Sequence, residues 1–329
     1  MTHVKHAVYY TVMVLLVLGV LEVVSSVLYF QYNGKETSAL SHYVRSFTQA
    51  TKEHPGLKAV GIWQADERYG YSHIANAIGT HETAEYKVTY TIGPGQERAV
   101  PPKKDARGTV LFLGGSYTFG QGVEGSETFA AILGERYWDE WSVENRSVLA
   151  WGTAHALLAF SDALERESPP TAVIYGMIPH HVTRNYIRRS WVKGLAGYGL
   201  KQPHFDLVSG VPEYLGVVGV KQSENDSDSV RRMELALTSA MLTVLHEKTA
   251  RQGIPFVIVL LPGIRPEMGW PPQLIRHMTE SGMNVLDLTE MPLERFSESD
   301  RHPNVPDHER IAERINGSFV TGLIDALPP

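Results

Sequence analysis

The 329-residue sequence contains no cysteine. This absence excludes disulfide bonds, metal sites built from thiolates and a cysteine nucleophile. It leaves the redox compartment of the protein undecided. Any nucleophile used in covalent catalysis has to come from another residue type.

The chain also lacks an excess of positive charge and the usual signals for a metal or a dinucleotide. Its net charge is −6 and its pI is near 6.2, which argues against nucleic-acid binding. No His-x-x-x-His pattern or carboxylate cluster indicates a metal site, and Gly120-x-Gly122 is too short for a dinucleotide fingerprint. The sequence therefore predicts no cofactor, no metal and no nucleic-acid partner.

One long apolar segment lies at the N-terminus, over residues 7–30, with Lys5 before it. A helix of this length crosses a hydrocarbon core of about 30 Å, and no small-x-small cleavage site follows. We expect residues 1–30 to form an uncleaved signal anchor that spans the inner membrane once and places the rest of the chain in the periplasm. A cleaved signal peptide and a buried core helix are the alternatives.

The remaining chain divides by composition into three parts. Residues 31–60 are mixed and polar, as in a stalk or linker. Residues 61–107 are aromatic and turn-rich, and alternation over 86–92 predicts a small β-hairpin packed on the main domain. From 108 to 329, strand-like and helix-like segments alternate, with apolar content sufficient for a sizeable core.

This alternation predicts a three-layer α/β/α domain around a parallel sheet of about five strands. Predicted strands lie at 109–113, 142–149, 171–176, 255–261 and 285–288, and predicted helices at 127–137, 154–165, 230–251, 272–281 and 306–315. Active sites of such sheets lie beyond the carboxyl ends of the strands. Segment 177–229 is long for a loop and predicts an insertion, either a solvated loop or a lid or substrate-facing or membrane-facing surface.

A serine follows the first predicted strand on a glycine-rich turn that reads Leu113-Gly114-Gly115-Ser116-Tyr117-Thr118-Phe119-Gly120. The glycines allow a sharp turn that would present the Ser116 hydroxyl clear of the sheet. Serine needs a base held by a third group before it is a useful nucleophile. A simple turn serine is the alternative interpretation.

An acid and a base occur together much later, in Asp300-Arg301-His302-Pro303-Asn304, just before the last predicted helix. A spacing of two in an extended loop projects both side chains to one side. His302 is the candidate general base and Asp300 the group that orients it. The alternatives are a surface histidine and a turn aspartate, and Asn304 or Asp307 is expected to cap the helix.

These two segments resemble the first and last motif blocks of the SGNH (GDSL-type) hydrolases, a family of serine esterases and acyltransferases. The resemblance covers roughly residues 61–325. Gly115 replaces the Asp that precedes the family's serine, a variation frequent in its membrane-anchored bacterial members, and Asp-x-His-Pro-Asn occurs in some subgroups. The resemblance implies a flavodoxin-like sheet and a triad of Ser116, His302 and Asp300.

The two middle blocks of the family depart from its pattern here. Ala150 stands where a glycine usually supplies a backbone N–H to the oxyanion hole, beside the N–H of Ser116. The place of the family's oxyanion Asn reads Gly176-Met177-Ile178-Pro179-His180-His181, and His180 is the nearest replacement. Loss of one oxyanion donor costs roughly 3–4 kcal/mol of transition-state stabilisation.

Other residues near these blocks are candidates for substrate contact. His181 is a candidate because of its position, with a structural role as the alternative. Arg184 is a candidate for binding an anionic group of the substrate, with a solvated side chain as the alternative. Trp191 and Trp270 could stack on sugars, with ordinary packing as the alternative.

The expected function is acyl-ester hydrolysis, or O-acyl transfer, through an acyl-Ser116 intermediate on an acylated envelope glycan or lipid. The membrane, through the N-terminal helix, and an envelope complex are the expected partners. The alternative is a catalytically weak scaffold of the same fold that binds a glycan or an envelope protein.

Overall fold

The computed structural model describes residues 60–101, 103–264, 269–297 and 299–327, together with Met13, Gly19 and Val20. The chain separates into two compact units, residues 1–56 and 57–329. The expected anchor and most of the expected stalk lie outside the described residues. Among those that are described, no helix has the length and apolar content needed to cross a membrane.

The described part of the second unit forms eleven strands. They are β1 Trp63–Asp66, β2 Gly70–His73, β3 Ile78–Glu82, β4 Lys87–Thr91, β5 Gly108–Gly114, β6 Trp141–Asn145, β7 Ala172–Met177, β8 Gln202–Val208, β9 Val211–Val218, β10 Phe256–Leu260 and β11 Asn284–Asp287. Its α-helices are α1 Ser116–Phe119, α2 Phe129–Ile132, α3 Thr153–Leu164, α4 Arg189–Gly197, α5 Asp228–Arg251, α6 Pro272–Glu280, α7 Val305–Asn316 and α8 Phe319–Asp325.

Five strands form one parallel sheet in the order β11-β10-β7-β5-β6. Numbered along the chain within this sheet, the order is 5-4-3-1-2, which is the flavodoxin-like arrangement. The register sets Leu111 beside Val173 and Val173 beside Phe256. The prediction of a five-stranded parallel sheet is confirmed, and its first strand lies between β7 and β6.

Alternate residues of the central strands face opposite layers, as the pleat of a strand requires. One face packs against α3, α5 and α6 through Leu111, Leu113, Val173, Tyr175 and Ile258. The other packs against α2, α7 and α8 through Val110, Phe112, Ile174, Val257 and Val259. These residues are buried on both sides of the sheet, so the three-layer prediction is also confirmed.

Two antiparallel hairpins, β1–β2 and β3–β4, precede the sheet. The alternating segment 86–92 corresponds to β4, as predicted, whereas the hairpin β1–β2 was not predicted. Tyr90 and Val88 of β4 pack with Phe119 of α1 and with Leu149. The hairpins therefore cover the end of the sheet at which Ser116 lies.

The insertion 177–229 is built from ordered elements and is not a plain solvated loop. It contains a 3-10 turn at Pro179–Arg184, helix α4, the hairpin β8–β9 and a second 3-10 turn at Val220–Gln222. Ser209 and Gly210 join the two strands with φ of 52° and 82°, the pattern of a type I′ turn. Glu224 then ties the end of the insertion to its start through its N–H, 2.8 Å from the Ile187 carbonyl.

Strand β6 is shorter than the predicted strand 142–149 because Asn145 turns the chain. Its Oδ1 accepts the Ser147 N–H at 3.2 Å, and its Nδ2 donates to the Thr118 carbonyl at 2.7 Å. Side-chain bonds of this kind offer the backbone an alternative to the sheet ladder. The residues after Asn145 therefore leave the sheet and run past the turn that carries Ser116.

Candidate active site

Ser116 lies at the carboxyl end of β5, where the chain turns into the short helix α1. The Phe119 N–H donates to the Gly115 carbonyl at 2.9 Å, and the Gly120 N–H donates to the Ser116 carbonyl at 3.0 Å. Gly120 ends this turn with φ of 82°, a value that favours glycine. The serine is only 4% exposed, so its hydroxyl faces a sheltered space.

The structure brings Ser116, His302 and Asp300 together in one hydrogen-bonded chain. Ser116 Oγ lies 2.9 Å from His302 Nε2, and His302 Nδ1 lies 2.7 Å from Asp300 Oδ1. Ser116 and His302 are 186 residues apart in the sequence. The geometric expectation for a nucleophile and its base is therefore met.

Asp300 is held in its ionised form. Burial alone would raise the pKa of its carboxyl, but hydrogen bonds from the His302 ring and backbone N–H and from the Tyr86 hydroxyl outweigh burial and lower that pKa. An ionised Asp300 accepts a hydrogen bond from the protonated Nδ1 of His302. The Nε2 atom then carries the lone pair, which faces the serine hydroxyl. This is the tautomer that a general base requires.

The loop that carries Asp300 and His302 is braced by Arg295. Its Nη1 donates to the Tyr117 hydroxyl at 2.8 Å and to the Arg301 carbonyl at 2.5 Å, while Nη2 donates to the Gly263 carbonyl at 2.9 Å. The Tyr117 hydroxyl in turn donates to the Arg301 carbonyl at 3.0 Å. The residue next to Ser116 is thereby tied to the residue next to His302.

The first turn of α7 fixes the other end of this loop. Asn304 caps the helix, since its side-chain oxygen accepts a hydrogen bond from the Asp307 N–H at 3.0 Å. The Asp307 carboxylate in turn accepts a hydrogen bond from the Asn304 N–H at 3.2 Å. Asp307 also accepts the backbone N–H groups of Glu294 and Arg295, at 2.8 and 2.7 Å. The predicted cap is confirmed, and it holds the His302 loop as well as the helix.

Gly115 lies against a buried histidine. A Cβ atom on Gly115 would lie 2.6 Å from His181 Nε2 and 3.1 Å from the Trp151 carbonyl oxygen. Neither the family's Asp nor an Ala fits there without displacing the His181 ring. That ring is fixed at its other nitrogen, since Nδ1 lies 2.8 Å from the Tyr175 hydroxyl.

The imidazole beside the nucleophile turn is therefore that of His181. His180, the expected replacement for the oxyanion Asn, lies one residue earlier in the same 3-10 turn and is half-buried. Burial and the nearby Arg184 lower the pKa of His181 well below its usual value, so this ring is neutral. Its Nε2 is buried and has no hydrogen-bond partner within the described part of the chain.

His181 and Arg184 are interior residues, which corrects the expectation that they contact substrate. His181 is 1% exposed and Arg184 is 7% exposed. Arg184 Nη1 donates to the Trp151 carbonyl at 3.1 Å, and burial lowers the pKa of its guanidinium to about 10. Trp270 is half-buried against the core, in line with the packing alternative.

Ala150 lies in the turn after β6, at the position expected for the second oxyanion donor. Its φ is 66°, in the left-handed region that favours glycine. An L-residue with a Cβ holds this conformation at a steric cost of about 1–2 kcal/mol. A donor role for its N–H remains a prediction.

Sequence analysis missed Tyr86 and Arg295, which hold the acid and the loop. Tyr86 lies just before β4, more than two hundred residues from Asp300, and no local spacing signals that pair.

Within the described ranges, no group of three or more His, Cys, Asp or Glu side chains has metal-binding geometry.

No protein-family model matches this sequence, and no curated protein is significantly similar to it. Solved structures with a similar chain trace include a protein assigned to the lipolytic G-D-S-L family from Desulfitobacterium hafniense DCB-2. It is 16% identical with a TM-score of 0.40, over 64% of this chain and 98% of that one.

A second example is an acetyl xylan esterase from the rumen bacterium Butyrivibrio proteoclasticus, 13% identical with a TM-score of 0.40 over 69% of this chain and 66% of that one. A third is a member of the lipolytic protein G-D-S-L family from Veillonella parvula DSM 2008, 12% identical with a TM-score of 0.39 over 64% and 97%.

Proposed function

We propose that this chain is a serine-dependent acyl-ester hydrolase or O-acyltransferase that works through an acyl-Ser116 intermediate. The observation that carries the proposal is the chain of two hydrogen bonds, 2.9 Å from Ser116 Oγ to His302 Nε2 and 2.7 Å from His302 Nδ1 to Asp300. Its position beyond the carboxyl end of β5 is where sheets of this type place their active sites.

In the first half of the reaction, Ser116 Oγ attacks the ester carbonyl while His302 Nε2 takes the hydroxyl proton. The C–O bond to the alcohol then breaks, and His302 returns the proton to the leaving oxygen, which gives the acyl-serine. Asp300 stabilises the transient imidazolium without taking its proton. The backbone N–H groups of Ser116 and Ala150 are the proposed donors to the oxyanion.

In the second half, His302 takes a proton from water or from an acceptor hydroxyl, whose oxygen attacks the acyl carbonyl. The acyl–Oγ bond breaks, and the proton returns to Ser116. Water as acceptor makes the protein an esterase, and a sugar hydroxyl makes it an acyltransferase. The same residues serve both outcomes, so the acceptor decides the reaction class.

We further propose that the reaction takes place outside the cytoplasmic membrane, on an acylated envelope glycan or lipid. The support is the apolar segment 7–30, which would anchor the chain in the membrane and export the remainder. An envelope complex is the corresponding protein partner.

The test is fluorophosphonate labelling of the full chain in detergent. Wild type should label covalently, whereas Ser116→Ala and His302→Ala should not, because one lacks the nucleophile and the other its base. Ser229→Ala, an exposed serine at the start of α5, is the matched control and should label as wild type does.

Folded wild-type protein that does not label would contradict the enzyme proposal. The binding scaffold would then be favoured, with the replacement of the oxyanion Asn by the His180-His181 sequence as its structural basis.

A further inference from the structure

A cavity of about 410 Å³ lies beside the candidate active site. Its volume falls within the usual range for small-molecule sites. Its walls come from the β1–β2 hairpin, the turn after β6 and helix α4, so most of it lies outside the five-stranded core. The wall includes Gln64, Tyr71, Ala150, Trp191 and Gly194.

The aromatic side chains of the cavity wall present apolar ring faces rather than free hydrogen-bonding groups. Trp191 Nε1 already donates to Gln202 Oε1 at 3.0 Å, and the Tyr71 hydroxyl donates to the Leu149 carbonyl at 3.1 Å. Gln64, a polar residue of the wall, donates to the His73 carbonyl at 3.3 Å. These three groups are already bonded within the protein, and the aromatic faces beside them suit a hydrocarbon.

The wall is held rigidly and is linked to the nucleophile turn by Arg184. The guanidinium carbon lies 4.9 Å from the centre of the Trp191 ring, within cation–π range. The same guanidinium donates to the Trp151 carbonyl, the group that approaches Gly115. The cavity wall and the serine turn thus share one buried support.

The base and part of the cavity wall come from segments that follow opposite edges of the sheet. His302 reaches the serine from the chain that follows β11, whereas Ala150 follows β6, at the other edge of the sheet. The base returns its proton to the departing alcohol, so the alcohol lies on the His302 side. With the alcohol on the His302 side and the carbonyl oxygen at the Ala150 N–H, the acyl chain has the neighbouring cavity open to it.

We propose that this cavity binds the hydrocarbon chain of the acyl group, so that the protein acts on esters of acyl chains longer than acetyl. The proposal rests on the proposed role of Ser116. It assigns the acyl specificity to the β1–β2 hairpin and to α4 of the insertion.

Gly194 provides a test that leaves the rest of the wall intact. A Cβ on Gly194 meets nothing within 4 Å, so this exposed position of the cavity wall accepts a side chain, and Gly194→Leu adds bulk there. Gly197 lies in the same helix, is equally open and does not line the cavity, which makes Gly197→Leu the matched control.

The measurement is the release of 4-nitrophenolate, including any initial burst, from 4-nitrophenyl acetate and 4-nitrophenyl octanoate. Wild type should favour the octanoate. Gly194→Leu should lower the octanoate-to-acetate ratio of kcat/KM by about tenfold or more, and Gly197→Leu should leave it within about twofold. Gly194→Phe, a larger side chain at the same open position, should lower the ratio further.

Several results would overturn the proposal. One is a folded Gly194→Leu protein whose ratio is unchanged, and another is a labelled wild-type protein that releases nothing from the octanoate. A third is a Gly194→Leu protein that loses more activity on hexyl acetate than on ethyl acetate, because this result would place the alcohol in the cavity. Each leaves the function of Ser116 standing, whereas absence of both labelling and nitrophenolate release removes that function as well.

Discussion

Gly115 and His181 account together for two departures from the SGNH pattern. The ring of His181 occupies the space into which a side chain on residue 115 would extend, and its contact with Tyr175 keeps it there. A glycine in place of the Asp is therefore a packing requirement of the histidine that follows β7. The glycine and the histidine ring fit each other in space.

Ala150 is the residue at which a substitution should stabilise the protein. Ala150→Gly removes a Cβ from a backbone with φ of 66°. The relief of about 1–2 kcal/mol exceeds the roughly 0.4–1 kcal/mol lost through the greater freedom of glycine in the unfolded chain. We expect the free energy of unfolding in urea to rise by up to about 1 kcal/mol.

The matched control for this change is Ala236→Gly, an exposed position within α5. It should lower the free energy of unfolding by about 0.5–1 kcal/mol, because its backbone is helical and gains nothing from glycine. Equal losses at both positions would show that the left-handed turn at Ala150 carries no strain.

At the residue scale, the sequence predicted the reacting groups better than their supports. Ser116, Asp300 and His302 stand in short local patterns whose spacing has a chemical reason. His181 was assigned to substrate because neighbours along the chain do not show that its ring turns inward. Tyr86 and Arg295 act across long sequence separations, which only the fold brings together.

At the scale of elements, the loop between β11 and α7 carries both the proposed base and the carboxylate that orients it. Arg295 is in the left-handed region with φ of 63°, and it is held there by Asp307 and by the Asn304 side chain, which donates to its carbonyl at 2.9 Å. Its guanidinium then bridges three acceptors. The loop is therefore a braced support for His302.

Arg295→Lys tests this brace, because an ammonium cannot reach the Tyr117 hydroxyl and both carbonyls with the geometry of a guanidinium. We expect kcat/KM for 4-nitrophenyl acetate to fall by about ten- to a hundredfold through misplacement of His302. Circular dichroism should show an intact fold. Arg276→Lys, on the exposed side of α6, should leave the rate unchanged, and full activity of Arg295→Lys would contradict the proposed role.

Element prediction succeeded where strands and helices are long and apolar, as at β5, β7, α3 and α5. It gave no strands in the insertion, although the hairpin β8–β9 forms there and includes Pro203 and Pro212. The Ser-Gly pair at its turn was the available signal. It also extended β6 too far, because apolar residues after Asn145 continued the pattern while the Asn145 side chain ended the strand.

At the scale of the whole molecule, several histidines are buried in neutral form. Burial lowers the pKa of His73 to about 4 and those of His155 and His308 to about 3. Between these values and the usual 6.5, the unfolded chain binds protons that the folded chain does not. Stability contributed by neutral burial is therefore present above pH 6.5 and is lost as the pH falls through this window.

His308→Asn provides the corresponding prediction. The Asn Oδ1 can replace His308 Nδ1 as acceptor of the Phe129 N–H, which lies 3.1 Å away, but it does not titrate. The free energy of unfolding of wild type should fall more steeply from pH 6.5 to pH 4 than that of the variant, by about 1.4 kcal/mol per pH unit. Denaturant unfolding at a series of pH values measures both slopes, and parallel slopes would contradict neutral burial of His308.

The separation of 186 residues between Ser116 and His302 has a consequence for synthesis. At roughly 5–20 residues per second, Ser116 is added to the growing chain about ten to forty seconds before His302. During that interval the serine is an ordinary alcohol. The growing chain therefore lacks the proposed catalytic triad. The triad can assemble only after the last strand of the sheet and the loop that follows it have been synthesised and folded.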